Sequence, residues 1–165
     1  MHSTLSGFVI AFGVVLSLAP WNACQAQFQK GETSPSKIKV TVKAGERTAS
    51  GRQQLAITIK PAKSWYIYAN PVGNKFFETN ATKISIKGKS GPKLLKIEYP
   101  KGKLVKDDIV GNYNIYAKAV TVKAVIQRSN NAPFDLNVMV QSCSKNPDGS
   151  AGLCLPPGTK TVTVK

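Results

Sequence analysis

Apolar residues alternate with polar ones along most of this 165-residue chain, and this period of two limits the possible folds more than any other feature. Side chains on one face of a strand recur at every second position, whereas a helix buries every third or fourth. No window shows a helical period, and Gly, Pro and Asn turn signals separate the alternating segments. The sequence predicts about eight strands, within residues 37–43, 55–59, 64–69, 82–87, 94–99, 114–127, 134–141 and 159–165.

Short strands at regular spacing predict an all-β fold in which antiparallel sheets form a sandwich around a shared core. The inward-facing Ile, Val, Leu and aromatic residues suffice for one core at this length. We assign this domain to residues 37–165 and interpret the polar residues 27–36 as a flexible lead.

The N-terminal segment is typical of a secretory signal peptide. Residues 8–18 are apolar and uncharged, and they are too few to span a bilayer, which takes about 20 residues. Small residues follow and end at Ala26, where we expect cleavage, so residues 1–26 are interpreted as the signal peptide. A lipoprotein with Cys24 as its lipidated residue is the alternative. We expect a periplasmic or secreted mature chain, in which no further apolar run is long enough to span a membrane.

Composition excludes several classes of site. Cleavage after Ala26 removes the single histidine, His2, and with it any Ser-His or Cys-His nucleophile pair and any zinc site. We therefore expect no metal and no cofactor. The net charge of +15 is interpreted as a solvated lysine-rich surface, with attraction to acidic partners or anionic lipids as the alternative. Nucleic-acid binding is not expected, because the sequence shows neither a basic helix nor an aromatic stacking signature.

Two of the three cysteines, Cys143 and Cys154, remain in the mature chain. They lie between the last two predicted strands, and the residues Asn146-Pro-Asp-Gly149 between them are typical of a turn. Neighbouring antiparallel strands bring Cα atoms to the separation that a disulfide needs. An exported protein also lies in an oxidising compartment. We therefore predict a cysteine pair across the mouth of a hairpin.

Three stretches occur in the order seen in a known family: Trp65-Tyr-Ile-Tyr68, residues 103–116, and Gln141-Ser-Cys143 … Cys154-Leu-Pro-Pro157. Through them, residues 37–165 resemble the N-terminal periplasmic domain of DsbD, and the Gln-x-Cys … Cys-x-Pro-Pro ending is the most specific part. The resemblance implies an immunoglobulin-like β-sandwich that carries out thiol:disulfide interchange. It also implies partners of two kinds: a thioredoxin-like electron donor and other periplasmic redox proteins that receive the electrons.

The resemblance further implies that Cys143 and Cys154 alternate between dithiol and disulfide, with Tyr66 and Tyr68 beside them. It places a cap loop at residues 106–112, over the pair. DsbD itself carries an aromatic pair before the glycine of this loop, whereas this chain does not, and its ten-residue cysteine spacing is longer than in DsbD. The cap residues are Asp107, Asp108, Ile109 and Val110, followed by Gly111.

Adjacent carboxylates over the pair would raise the pKa of the thiols by like-charge repulsion. Asp107 and Asp108 would then keep the reduced pair unreactive until a partner displaces the cap. The alternative for these aspartates is a solvated turn, and for Tyr66 and Tyr68 it is ordinary cross-strand packing.

The sequence leaves two functions open. In the first, the chain is a periplasmic thiol-disulfide exchange module. Partners then join to Cys154, which is followed by a stiff Pro-Pro segment, and Cys143 lies deeper because it directly follows an apolar strand. In the second, the chain is a non-enzymatic immunoglobulin-like binding module, and its disulfide only braces a hairpin.

Overall fold

The chain folds into antiparallel β-structure, as the alternating pattern predicts. The structure is a computed structural model that describes residues 31–87, 91–146 and 151–165, with only the backbone of Ala151. Among these residues, one short 3-10 helix, Ser34–Lys37, precedes the first strand, and another, Lys75–Asn80, lies between two strands. The described strands are β1 (Ile38–Arg47), β2 (Arg52–Pro61), β3 (Trp65–Tyr68), β4 (Lys83–Ile86), β5 (Lys93–Glu98), β6 (Lys103–Val105), β7 (Tyr113–Tyr116), β8 (Val120–Gln127), β9 (Phe134–Val140), β10 (Ser142–Lys145), β11 (Ala151–Cys154) and β12 (Gly158–Val164).

The strands form three antiparallel sheets, and the fold is an immunoglobulin-like β-sandwich. The first sheet has the order β1-β2-β8-β5, and the third has the order β12-β9-β4. The second sheet, β11-β10-β3-β7-β6, carries both cysteines. The chain passes from the third sheet into the second at Gln141, the single residue between β9 and β10.

The main core forms between sheets because each strand turns its alternate apolar residues inward. On β2 and β8 the core positions recur at every second residue, and the opposite positions are exposed or half-buried. Burial of apolar area is the main favourable contribution to such a fold. The most deeply buried members include Ile57, Ile59, Val122, Ile126, Val138 and Val140, all with no exposed area.

The second sheet is covered on both faces, and this explains why β3 reads Trp-Tyr-Ile-Tyr without polar alternation. Ile67 of β3 joins the main core, whereas Tyr66 and Tyr68 point to a second buried cluster. That cluster also contains Cys143 and Tyr113. The alternation of β3 therefore places its tyrosines and the first cysteine together on the face away from the main core.

The cysteine hairpin differs in detail from the prediction. The strands predicted at its two ends do pair, as β9 and β12, with Val140 opposite Gly158. The cysteines lie beyond that pairing, on a short hairpin of their own, β10–β11, in a different sheet. The predicted segment 114–127 likewise divides into two strands of different sheets, β7 and β8.

The domain begins before residue 37, where the sequence placed its boundary. Ser34–Lys37 form a 3-10 helix, and Ser34 has no exposed area. Residues 1–30, which include the predicted signal peptide and Cys24, lie outside the described residues. So do residues 88–90 and 147–150, which cover parts of two predicted turns.

Candidate functional site

The disulfide joins two residues that face each other across the β10–β11 hairpin. Cys143 pairs with Cys154 in the strand register, their Cα atoms are 4.0 Å apart, and their sulfur atoms are bonded. On its other side β10 pairs with β3, where Cys143 lies opposite Tyr66. The predicted cysteine pair is therefore present, next to the aromatic strand.

The two cysteines differ in burial. Cys143 has 0% of its surface exposed, because it lies between two neighbouring strands and contributes to the second buried cluster. Cys154 is exposed at the sheet edge, and the side chain of Leu153 beside it is 69% exposed. Of the two bonded residues, Cys154 is therefore the exposed one and Cys143 the buried one.

Aromatic rings cover the Cys143 side of the pair. The hydroxyl oxygen of Tyr68 lies 4.0 Å from Sγ of Cys143, and the hydroxyl is the donor because a disulfide sulfur carries no hydrogen. The Tyr68 ring stacks on Phe77 with 4.8 Å between ring centroids, and Tyr113 lies 4.9 Å from Phe77. Tyr66 meets Tyr68 edge-to-face at 6.1 Å. Tyr66 lies opposite Cys143 in the register and Tyr68 contacts its sulfur, so both tyrosines are neighbours of the buried cysteine.

Burial changes the acidity of these phenols. It is the main reason that the pKa of Tyr68 rises to about 12, with a further increase from the charge of Tyr113. Burial also raises the pKa of Tyr66, and the charges of Tyr113 and Tyr68, a hydrogen bond with Tyr113 and the charge of Asp107 act in the same direction. Both hydroxyls are therefore protonated at neutral pH, and the one on Tyr68 can donate to sulfur.

Residues 106–112, for which the resemblance predicts a cap, connect β6 to β7 as a tight turn. The carboxylate oxygen Oδ1 of Asp107 accepts hydrogen bonds from the backbone N–H groups of Ile109 (2.9 Å) and Val110 (3.0 Å). These bonds lower the pKa of Asp107. Gly111 closes the turn with a φ of +82°, and its N–H donates to the carbonyl oxygen of Asp107 at 3.0 Å.

Most residues of this loop are exposed, and the charge of Asp107 acts on only one of the two tyrosines of β3, Tyr66. Ile109 is 95% exposed and Val110 is 38% exposed, while Asp108 is also exposed. The negative charge of Asp107 contributes to the raised pKa of Tyr66, which lies opposite Cys143 in the sheet.

Sequence reasoning missed Phe77 and Tyr113 of the aromatic cover. It also missed Asn74, whose side-chain Nδ2 donates to the carbonyl oxygen of Val110 at 2.8 Å and whose Oδ1 accepts from the N–H of Phe76 at 2.9 Å. The adjacent aromatics Phe76-Phe77 were a visible signal, because a polar turn seldom carries two such residues without a packing role.

Among residues 31–87, 91–146 and 151–165, no three His, Cys, Asp or Glu side chains gather as a metal site would require. Within the same residues, no helix is long and apolar enough to cross a membrane.

Comparison with known proteins identifies a family that this sequence matches. The sequence matches the family described as "Thiol:disulfide interchange protein DsbD, N-terminal" over residues 33–165. No curated protein matches the chain in sequence.

Several solved structures are similar in fold. The reduced N-terminal domain of DsbD from Neisseria meningitidis has a TM-score of 0.52 and 18% identity, over 82% of this chain and 90% of that chain. The N-terminal periplasmic domain of ScsB from Proteus mirabilis has a TM-score of 0.54 and 13% identity, over 78% of this chain and 46% of that chain. At these identities the likeness concerns the fold alone.

The raised phenol pKa values predict an alkaline titration. The difference in absorbance near 295 nm between wild type and Tyr68→Phe should show Tyr68 ionising at about pH 12 in the native protein and at about 10 in urea. Since the folded state holds the phenol protons more tightly than the unfolded state, stability is retained below about pH 10 and falls as the pH rises toward 12. The double variant Tyr66→Phe, Tyr68→Phe should lose less stability over that interval. Ionisation of Tyr68 near pH 10 in the native protein would contradict this burial argument.

Proposed function

The chain belongs to the family of DsbD N-terminal domains, and from that premise we propose that Cys143 and Cys154 are its redox-active pair. In this proposal the domain passes two electrons at a time between thioredoxin-like and other redox proteins. The observation that carries the proposal is the unequal burial of the two cysteine residues, with Cys154 exposed and Cys143 buried in the aromatic cluster.

The burial pattern supports a defined order of bond exchange. A thiolate of a reduced partner attacks Sγ of Cys154, the Cys143–Cys154 bond breaks, and Cys143 leaves as a thiolate that takes up a proton. The second thiol of the partner then attacks the mixed disulfide and releases Cys154. The domain now holds two thiols, the partner holds a disulfide, and two electrons and two protons have been transferred.

The same steps in reverse reduce an oxidised target. The thiolate of Cys154 attacks the disulfide of the target, and Cys143 then attacks the mixed disulfide and re-forms the internal bond. The Tyr68 hydroxyl, 4.0 Å from Sγ of Cys143, supports this step because a donor near the sulfur favours its thiolate form.

We assign the cap role to residues 106–112 on the same premise. The turn held by Asp107 leaves the side chain of Ile109 95% exposed. Contact with a partner would bury this apolar surface and so favour binding. The negative charges of Asp107 and Asp108 disfavour a thiolate nearby and so slow reaction of the reduced pair with small oxidants.

DsbD N-terminal domains are periplasmic domains. We propose that the chain reaches that compartment through a signal peptide at residues 1–26, cleaved after Ala26. Edman sequencing or mass spectrometry of the exported protein should find Gln27 as the first residue of the mature chain.

The first prediction of this function concerns which cysteine reacts. Thioredoxin lacking its resolving cysteine, with its remaining active-site thiol activated as a thionitrobenzoate disulfide, serves as the probe. Cys143→Ser, which keeps Cys154, should displace thionitrobenzoate and form a covalent complex. Cys154→Ser should react at least about tenfold more slowly than Cys143→Ser, because its only thiol is buried.

The control is the same reaction in urea, where both variants should react alike because neither thiol is buried. Equal trapping by the two native variants would contradict the assigned roles. If neither variant traps the probe and the wild-type disulfide also resists reduced thioredoxin, the disulfide is a structural brace, as in the binding-module alternative.

The second prediction concerns the cap. The reduced double variant Asp107→Asn, Asp108→Asn should be alkylated about threefold faster than wild type near neutral pH, since losing nearby negative charge lowers the thiol pKa by about half a unit. Asp108→Asn alone is the matched comparison, because it removes one of the two charges without touching the carboxylate that holds the turn, and it should speed alkylation by a smaller factor. Alkylation rates that are identical to wild type from pH 6 to pH 9 would contradict the cap role.

A further inference from the structure

Ser34, near the N-terminal start of the domain, is fully buried and bonded to both cysteine-bearing segments. Its Oγ donates to the carbonyl oxygen of Leu155 at 3.2 Å and accepts from the N–H of Ser142 at 2.8 Å. Its backbone carbonyl accepts from Oγ of Ser142 at 2.9 Å, and its N–H donates to the carbonyl of Pro156 at 3.4 Å. Ser34 is 108 residues from Ser142 and 121 from Leu155, so these bonds are long-range contacts.

The bonded residues adjoin the redox pair directly. Ser142 precedes Cys143, and Leu155 follows Cys154. The two segments also bond to each other, because the N–H of Leu155 donates to the carbonyl of Ser142 at 2.9 Å. We call Ser34, Ser142 and Leu155 the serine bridge.

Close packing holds the helix that carries Ser34 against the same region. A Cβ atom placed on Gly158 would lie 2.6 Å from Cδ of Pro35, so this contact requires glycine at position 158. The serine bridge is therefore part of a fixed arrangement of the 3-10 helix, β10 and the residues after β11.

The serine bridge and the disulfide are two parallel connections between the same two segments. We propose that Ser34 is a positioning residue that keeps the cysteines aligned after reduction and thereby sets the equilibrium between dithiol and disulfide. This inference rests on the proposed function, because alignment of the reduced pair matters only if the disulfide opens and closes.

The direction of the effect follows from comparing the redox forms. In the oxidised protein the sulfur–sulfur bond holds the segments together whether or not Ser34 contributes. Removing the hydroxyl therefore destabilises this form by the full free energy of the lost hydrogen bonds. The reduced form is destabilised less, because its segments are free to separate and their polar groups can find other partners. Separation lowers the effective concentration of one thiol near the other and disfavours disulfide formation. Removing the hydroxyl should therefore shift the equilibrium toward the dithiol.

The test is equilibration with reduced and oxidised dithiothreitol. Each protein disulfide that is reduced consumes one dithiothreitol dithiol and yields one cyclic dithiothreitol disulfide, so the protein dithiol-to-disulfide ratio gives the equilibrium constant. Ser34→Ala should raise that ratio about fivefold, as expected for loss of hydrogen bonding worth about 1 kcal/mol. Fivefold corresponds to a reduction potential that is about 20 mV less negative.

Ser36→Ala is the matched control. Ser36 lies on the same 3-10 helix, but its exposed Oγ donates only locally, to the carbonyl of Thr33 at 2.7 Å. This variant should leave the ratio unchanged. A shift equal to that of Ser34→Ala would overturn the proposal, since the effect would then belong to the helix and not to the bridge.

A second variant covers the case in which Ser34→Ala does not fold. Ser142→Ala removes one hydrogen bond, from its Oγ to the carbonyl of Ser34, and retains the buried backbone bonds. It should shift the ratio in the same direction, about twofold to threefold. If a folded Ser34→Ala, or Ser142→Ala in its place, loses equal stability in both redox forms and leaves the ratio unchanged, Ser34 has only a structural role and the proposal fails.

The same data separate failure of this inference from failure of the proposed function. The ratio of variant to wild-type equilibrium constants tests the serine bridge, whereas the wild-type constant itself reports whether the disulfide is exchangeable. A disulfide that is too stable for exchange could still show the fivefold effect of Ser34→Ala, and an exchangeable one could lack it.

Discussion

The pairing of β10 with β3 is the contact on which the site depends. It places Cys143 opposite Tyr66 on the inner strands of the sheet, which pack against the main core on one face and the second cluster on the other. Because successive side chains of a strand point to opposite faces, Ile67 contributes to the main core while Tyr66 and Tyr68 meet Cys143 in the second cluster. A shift of one residue in this register would turn the tyrosines into the main core and leave the sulfur without its aromatic cover.

The same pairing makes the two sulfurs unequal. β10 is enclosed between β3 and β11, whereas β11 is the edge strand of its sheet. The cysteine on the inner strand is buried and the cysteine on the edge strand is exposed, so a symmetrical covalent bond joins two residues in unequal surroundings. The serine bridge acts at the backbone of both segments, and the aromatic rings act at the sulfur of Cys143. In our proposal, access and alignment are thus controlled by different residues.

Much of this arrangement could be predicted from the sequence. Alternation identified the core strands, since residues such as Ile57 and Val138 recur with a period of two. The cysteine pair and the neighbouring tyrosines followed from the turn residues and from the resemblance to a family. The separate cysteine hairpin could not be predicted, because nothing in the local pattern marks Gln141 as the residue where the chain changes sheets. Ser34 could not be predicted either, since it lies in a short polar stretch and its role arises from contacts more than 100 residues away.

The reduction potential of the wild-type disulfide tests the central claim most directly. It is measured by equilibrating the purified mature protein with dithiol–disulfide buffers of known potential and counting free thiols. An exchangeable pair should lie above about −300 mV, between the values of thioredoxin and protein disulfide isomerase, about −270 to −180 mV. A value well below about −300 mV would mean that the disulfide is a structural brace, and the proposed exchange function would be wrong.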